Sequence, residues 1–225
     1  MSLEPATESE RLYLALGGDV NPARPIFTGD VFEQVEIPGV GTASAIVIGH
    51  PCSIRGRNGS LQDRIPVAAV EDHPVHPPKT WATGFFDRMP LPGLPLSGDY
   101  HAARLGELGL AATSSLRTAT RIACLSEPGI NQLQQRLVYH QTRLEVPVTT
   151  FQEAFDHTYE EAELLENWAT DLEGTIEEAT AEFERWIRAG SPSRQQRLLD
   201  YAERAPIRRE LRNELRRRTQ RDDKI

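Results

Sequence analysis

Few side chains in this chain have types and spacing that could do chemistry. His50 and Cys52 form a His-x-Cys pair, and His73 and His76 form His-x-x-His. Both are ligand types that zinc accepts. The spacing matches no standard zinc motif, and all three histidines precede proline, a common turn step. The four residues are metal candidates only if 48–50 and 71–76 are neighbouring strand ends. A second set, Arg55, Arg57 and Arg64 with His50, brackets an Asn-Gly loop. It offers cations and a proton-transfer group for a phosphodiester. A third, Arg136, His140 and Arg143, shares a helical face that suits phosphate or a partner surface. The last is a run of arginines, Arg208, Arg209, Arg212, Arg216, Arg217 and Arg218, the footprint of a nucleic-acid contact or of a solvated helix end. Glu160, Glu161, Glu163 and Glu166 read as a solvated helix face rather than acid–base groups. The chain has no glycine-rich phosphate loop, nucleophile elbow or Cys-x-x-Cys pair.

Charge is distributed in blocks. Residues 151–205 hold 5 basic and 14 acidic side chains, a balance of −9, whereas residues 206–225 hold 8 and 4, a balance of +4. The acidic block repels a phosphate backbone and the tail attracts one. No apolar run reaches the roughly 18–20 residues of a membrane span, which predicts no membrane partner. The first ten residues carry three glutamates, unlike a secretion signal. Two distant cysteines make no disulfide framework. Together these features predict a cytoplasmic protein.

The elements that must position these groups fall into two textures. "RLYLALGGDV" predicts a short helix or edge element. From Ile26 the chain turns β-like. Val31, Glu33, Val35 and Ile37 alternate with Phe32, Gln34 and Glu36; "ASAIVIGH" is a continuous buried-strand run; "RIPVAAVE" is another strand. Residues 73–98 contain six prolines and predict an extended loop without helix. "AATSSLRTATRIACL" returns to strand, and Ser126 then caps a helix with Pro128 in its first turn. Pro147 ends that helix, and Thr150 with Glu153 predicts a capping box for the next. From Phe151 an apolar stripe runs at intervals of three and four through Phe155, Tyr159, Trp168, Leu172, Ile176, Phe183 and Trp186. It predicts one amphipathic helix of about 58 Å ending near Ala189, with Gly174 as its weak point. A further helix is expected from Ser191-Pro192, broken at Ala205-Pro206.

The order of Gly29-Asp30 and its strand, Ala45–Ile48, Val67–Val70, Leu116-Arg117-Thr118 and Leu125-Ser126 resembles the PemK/MazF-like β-barrel family over roughly residues 26–145. The resemblance implies an α+β fold. It consists of an N-terminal segment (1–25), a small SH3-like β-barrel with its closing helix (26–147) and a C-terminal helical extension (148–225). Ribonuclease members of that family cut single-stranded RNA without metal or cofactor. They use an arginine just before the second strand and a threonine or serine after the third. Here Thr42, Ala43 and Ser44 stand at the first place, and Glu71 and Asp72 at the second. A carboxylate there repels an RNA phosphate. The resemblance therefore implies a barrel that does not cut, in a setting like bacterial toxin–antitoxin or phage-defence systems. Its long helix would recruit a second copy or another subunit through the stripe residues, and its tail would be open to nucleic acid. The alternative is a diverged metal-independent endoribonuclease working through His50, Arg55, Arg57 and Arg64.

Overall fold

Two-residue alternation turns the first half of the chain into sheet, and 3.6-residue periodicity turns the rest into helices. The computed structural model describes residues 3–56, 59–171 and 174–222. The strands are β1 (Tyr13–Leu16), β2 (Asp30–Ile37), β3 (Gly41–Val47), β4 (Arg64–Asp72), β5 (Arg88–Leu91), β6 (His101–Ala112) and β7 (Arg121–Leu125). All pair antiparallel in the order β1-β7-β2-β3-β4-β6-β5, and the sheet curls into a half-barrel. Val31, Val35 and Ile37 point inward as the alternation predicts. Phe32 is buried too, because the β2–β3 register shifts between Phe32 and Val35, where Gln34 adopts φ +54°.

The helices of the first half are short until the last: α1 (Ser9–Leu12), α2 (Pro51–Ile54), α3 (Pro78–Thr83), α4 (Thr113–Thr118) and α5 (Glu127–Thr142). "RLYLAL" supplies both predicted options, since α1 runs directly into β1, an edge strand. Two expectations fail here. The proline-rich stretch contains a helix, α3, because Pro77 and Pro78 fall at its N-terminus, where a missing N–H costs nothing. The strand expected through residues 111–125 is interrupted by α4. The cap of α5 is as expected: Ser126 Oγ accepts from Gly129 N–H at 3.1 Å. Gly129 sits against the α1 backbone so closely that an added Cβ would lie 2.2 Å from the Leu12 carbonyl oxygen.

The second half forms α6 (Val148–Asp171), α7 (Ile176–Ile187), α8 (Arg194–Arg197) and α9 (Tyr201–Asp222). The single long helix is thus two. Gly174 at φ +121° is followed by Thr175, which caps α7 in a reciprocal box with Glu178. The capping box predicted at Thr150 does not start α6, which begins at Val148. Ser193, not Ser191, caps α8. Pro206 lies inside α9 instead of breaking it. Near a helix start it forfeits one backbone bond, and Ile207, Leu211 and Leu215 just beyond are anchored in a core.

Contacts divide the chain into two compact units. The first comprises residues 1–22, 27–54 and 61–154; the second comprises 23–26, 55–60 and 155–225. In the second, Trp168, Phe183 and Trp186 pack together with ring centroids 5.4–5.9 Å apart, and Leu198, Ile207, Leu211 and Leu215 join the same cluster. The stripe is therefore largely consumed inside its own unit. Of the residues expected at a partner interface, Trp168, Phe183 and Trp186 are core. Phe155, Tyr159 and Ile176 are half-buried, and Leu172 lies outside the described residues. No described helix is long and apolar enough to cross a membrane.

Candidate functional site

The end of β4 is where the sequence resemblance puts half of a cleavage site, and the structure fills it with engaged carboxylates. Glu71 receives Arg88 at 3.2 Å from β5 and Arg104 at 3.4 Å from β6. Those arginines also meet Asp87 and Glu107. The result is an alternating ion network across three strands. Asp72 lies 3.1 Å from Nε2 of His101, a buried ring that also contacts the Ser97 carbonyl at 3.1 Å. At the start of β3, the Thr42 hydroxyl donates to Glu36 at 2.8 Å, and Ala43 has no polar side chain. A phosphodiester approaching this sheet end meets carboxylates with no spare arginine beside them.

The other predicted groups are distributed rather than assembled. His50 Nδ1 accepts from the Cys52 backbone N–H at 3.2 Å, a turn at the start of α2. His73 and His76 join a different cluster: their rings stand 5.3 Å apart, and His76 stacks on Phe85 at 4.7 Å beside Trp81. Among the described residues no three His, Cys, Asp or Glu side chains are grouped to hold a metal, so the four-residue metal candidate does not form. Arg55 donates to the Gly59 carbonyl at 3.0 Å and the Ile26 carbonyl at 2.8 Å, a brace between loop segments. Arg64 opens β4 with its side chain exposed, and Arg57 lies outside the described residues.

Arg136 departs furthest from expectation. It was placed on a surface face with His140 and Arg143, yet it is fully buried. Its guanidinium donates to the backbone carbonyls of Arg88, Glu4 and Trp81 at 3.2, 2.9 and 2.8 Å. It has no carboxylate partner among the described residues. Burial lowers its pKa to about 10, so it stays charged at neutral pH. Its Nε and the Tyr13 hydroxyl are buried without a hydrogen-bond partner, and beside them the buried Trp81 indole N–H and Tyr100 hydroxyl have at most each other. Each such group costs about 1–3 kcal/mol if nothing meets it. The sequence carried one signal for this: Arg136 follows Leu133 by three residues, on the α5 face that enters the core. Nothing local marks Tyr13, Trp81 and Tyr100 as neighbours, since they come from distant segments.

In the helical unit, acidic and basic blocks neutralise each other. Arg208 grips Glu160 at 2.5 Å and Glu163 at 2.8 Å, Arg204 reaches Asp156, and Arg218 meets Glu182 and Glu214 while lying 4.7 Å over the Trp168 ring. Glu160 is buried, so these carboxylates are not a purely solvated face. Glu161 is held by the Gln195 amide at 3.0 and 3.1 Å, and burial, aided by nearby Glu184, raises its pKa. Arg217 makes only an exposed contact with Glu214, at 3.8 Å. Arg209, Arg212 and Arg216, at intervals of three and four, share an exposed face of α9 and have no ion pair among the described residues. No protein-family model matches the chain, and no curated protein matches it.

Proposed function

We propose that this protein is a non-cleaving PemK/MazF-like barrel that works as a binding subunit, with nucleic acid engaged through the α9 arginines. One observation carries the reading. Glu71 and Asp72, which by the sequence resemblance stand where a cutting barrel keeps its hydroxyl, are already paired, Glu71 with Arg88 and Arg104 and Asp72 with His101. Catalysis of phosphodiester cleavage needs preorganised positive charge at the developing oxyanion, and this sheet end presents the opposite sign. The antiparallel strand order supports assigning the half-barrel to the SH3-like class. The row Arg209, Arg212 and Arg216 supports a phosphate-tracking contact, because its neighbours Arg208 and Arg218 are spent on internal carboxylates.

A second copy or another subunit remains part of the proposal, but not through Trp168, Phe183 and Trp186, which are core. Exposed Leu199 and Tyr201, at the entry to α9, replace them as the contact this reading favours.

The test pairs cleavage with binding. Full-length protein incubated with single-stranded RNA in EDTA is expected to leave it intact. Fluorescence anisotropy over a salt series is expected to show binding that weakens steeply with salt. Replacing Arg209, Arg212 and Arg216 by alanine should flatten that slope by about 2–3. RNA fragments lost on His50→Ala substitution would establish the ribonuclease instead. Salt-insensitive or absent binding would remove the nucleic-acid part.

A further inference from the structure

The half-barrel's two edge strands, β1 and β5, are not paired with each other, and the N-terminal segment is hydrogen-bonded to α3 and α5. Leu3 N–H donates to the Ala82 carbonyl, and Glu4 N–H to the Gln135 side chain, both at 2.9 Å. Behind this strap four polar groups gather from four segments: Tyr13 of β1, Trp81 of α3, Tyr100 ahead of β6, and Arg136 of α5. Trp81 and Tyr100 stack with centroids 6.0 Å apart at 21°, and the Arg136 guanidinium carbon lies 5.9 Å from the Trp81 ring. Burial, and then the nearby Tyr100, raise the resistance of Tyr13 to ionisation. Tyr100 is pushed up to about 12 by burial, against the opposing pull of Arg136 and the Trp81 indole. Both phenols therefore keep their protons at neutral pH.

The chemistry of this cluster is one-sided. The Trp81 indole N–H can lean on the Tyr100 oxygen, which leaves the Arg136 Nε–H and the two phenolic hydroxyl protons as donors still to give. The charge is +1, and among the described residues its partners are backbone carbonyls. All four residues are more than nine-tenths buried. A complement must be small, negatively charged and rich in acceptors. We propose that the closure of the half-barrel is a binding site for a small carboxylate, held by Tyr13, Trp81, Tyr100 and Arg136. A carboxylate accepts at every lone pair, so it asks these donors for nothing in return. Occupancy ties the strap, α3 and α5 to one point and stabilises the barrel by mass action. This inference is independent of whether the protein binds or cuts RNA.

The probe is sodium formate, titrated into the full-length chain in sodium gluconate at constant ionic strength, gluconate being the bulkier carboxylate. The expected result is a saturable rise in Tm together with a change in tryptophan emission. Tyr100→Phe, which keeps the ring stack, should weaken formate by roughly five- to twentyfold through loss of one charge-assisted hydrogen bond. Arg136→Lys, which keeps the charge but loses the one unpartnered donor, Nε–H, should abolish saturation. A formate response no larger than that of gluconate overturns the proposal, whether or not the variants fold. So does Tyr100→Phe binding formate as the wild type does, or a crystal grown in formate with only a water at these four groups.

Discussion

Two ionisable side chains, buried Arg136 and half-buried Glu161, face opposite circumstances. Arg136 sits among carbonyls and keeps its charge, whereas Glu161 pays for its own, desolvated and beside Glu184. A carboxyl whose folded pKa is raised binds its proton more tightly in the fold than in the unfolded chain. Stability from that proton is present below the ordinary carboxylate range and is lost as pH rises through the folded value. Glu161→Gln should therefore match the wild type in acid and be more stable near neutrality, with Gln195 still able to donate to the new amide oxygen. Thermal melts across a pH series check this; an equal or lower Tm for the variant at neutral pH contradicts it. The four-residue metal candidate failed at this scale. Sequence spacing can bring His73 to His76, but only the fold decides whether the His50 turn arrives at the same place.

Caps settled where helices begin, and they were unequally legible. Ser126 was visible because an apolar stripe starts just behind it, and its hydroxyl does bind Gly129 N–H. Thr175 gives no such signal, because the stripe continues in phase across Gly174, so periodicity alone reads one helix where there are two. The box at Thr175 and Glu178 also holds the Glu178 carboxyl below its usual range, through hydrogen bonds from the Thr175 backbone and hydroxyl. Thr175→Ala should cost about 1 kcal/mol, read from the denaturation midpoint, with little change in helical signal. A cost near zero would mean that packing of Phe183 and Trp186 alone fixes the start of α7. Pro206 makes the converse point: a local breaker is tolerated where the turns on its far side are held in a core.

For the whole molecule, the stripe of aromatic residues had two possible fates, a partner or the chain's own helices. The structure gives most of it to α9, through Ile207, Leu211 and Leu215. Trp168→Ala should then act as a core deletion, lowering stability by about 3–5 kcal/mol in chemical denaturation. Its mass in light scattering should equal that of the wild type. Dissociation of an oligomer by this substitution, with stability intact, would restore the stripe to an interface. The boundary between the parts also differs from the linear one. Residues 23–26 and 55–60 belong with the helical unit, where Arg24 pairs with Glu166 and Arg55 braces the Ile26 and Gly59 carbonyls.

The residues by themselves determined a β-rich first part followed by helices, the Ser126 cap, and the absence of arginine ahead of β3 with carboxylates at the end of β4. These follow from nearest-neighbour geometry, in which alternation and 3.6-residue spacing fix the side chains that share a face. Only the tertiary structure decided what covers each face. It turned Arg136 inward beside Trp81 and Tyr100, paired the acidic block with the basic tail, and closed α9 over the aromatic stripe. The reason is that burial depends on segments far apart in the chain. A spacing rule records which residues travel together, and says nothing of which distant surface removes them from water.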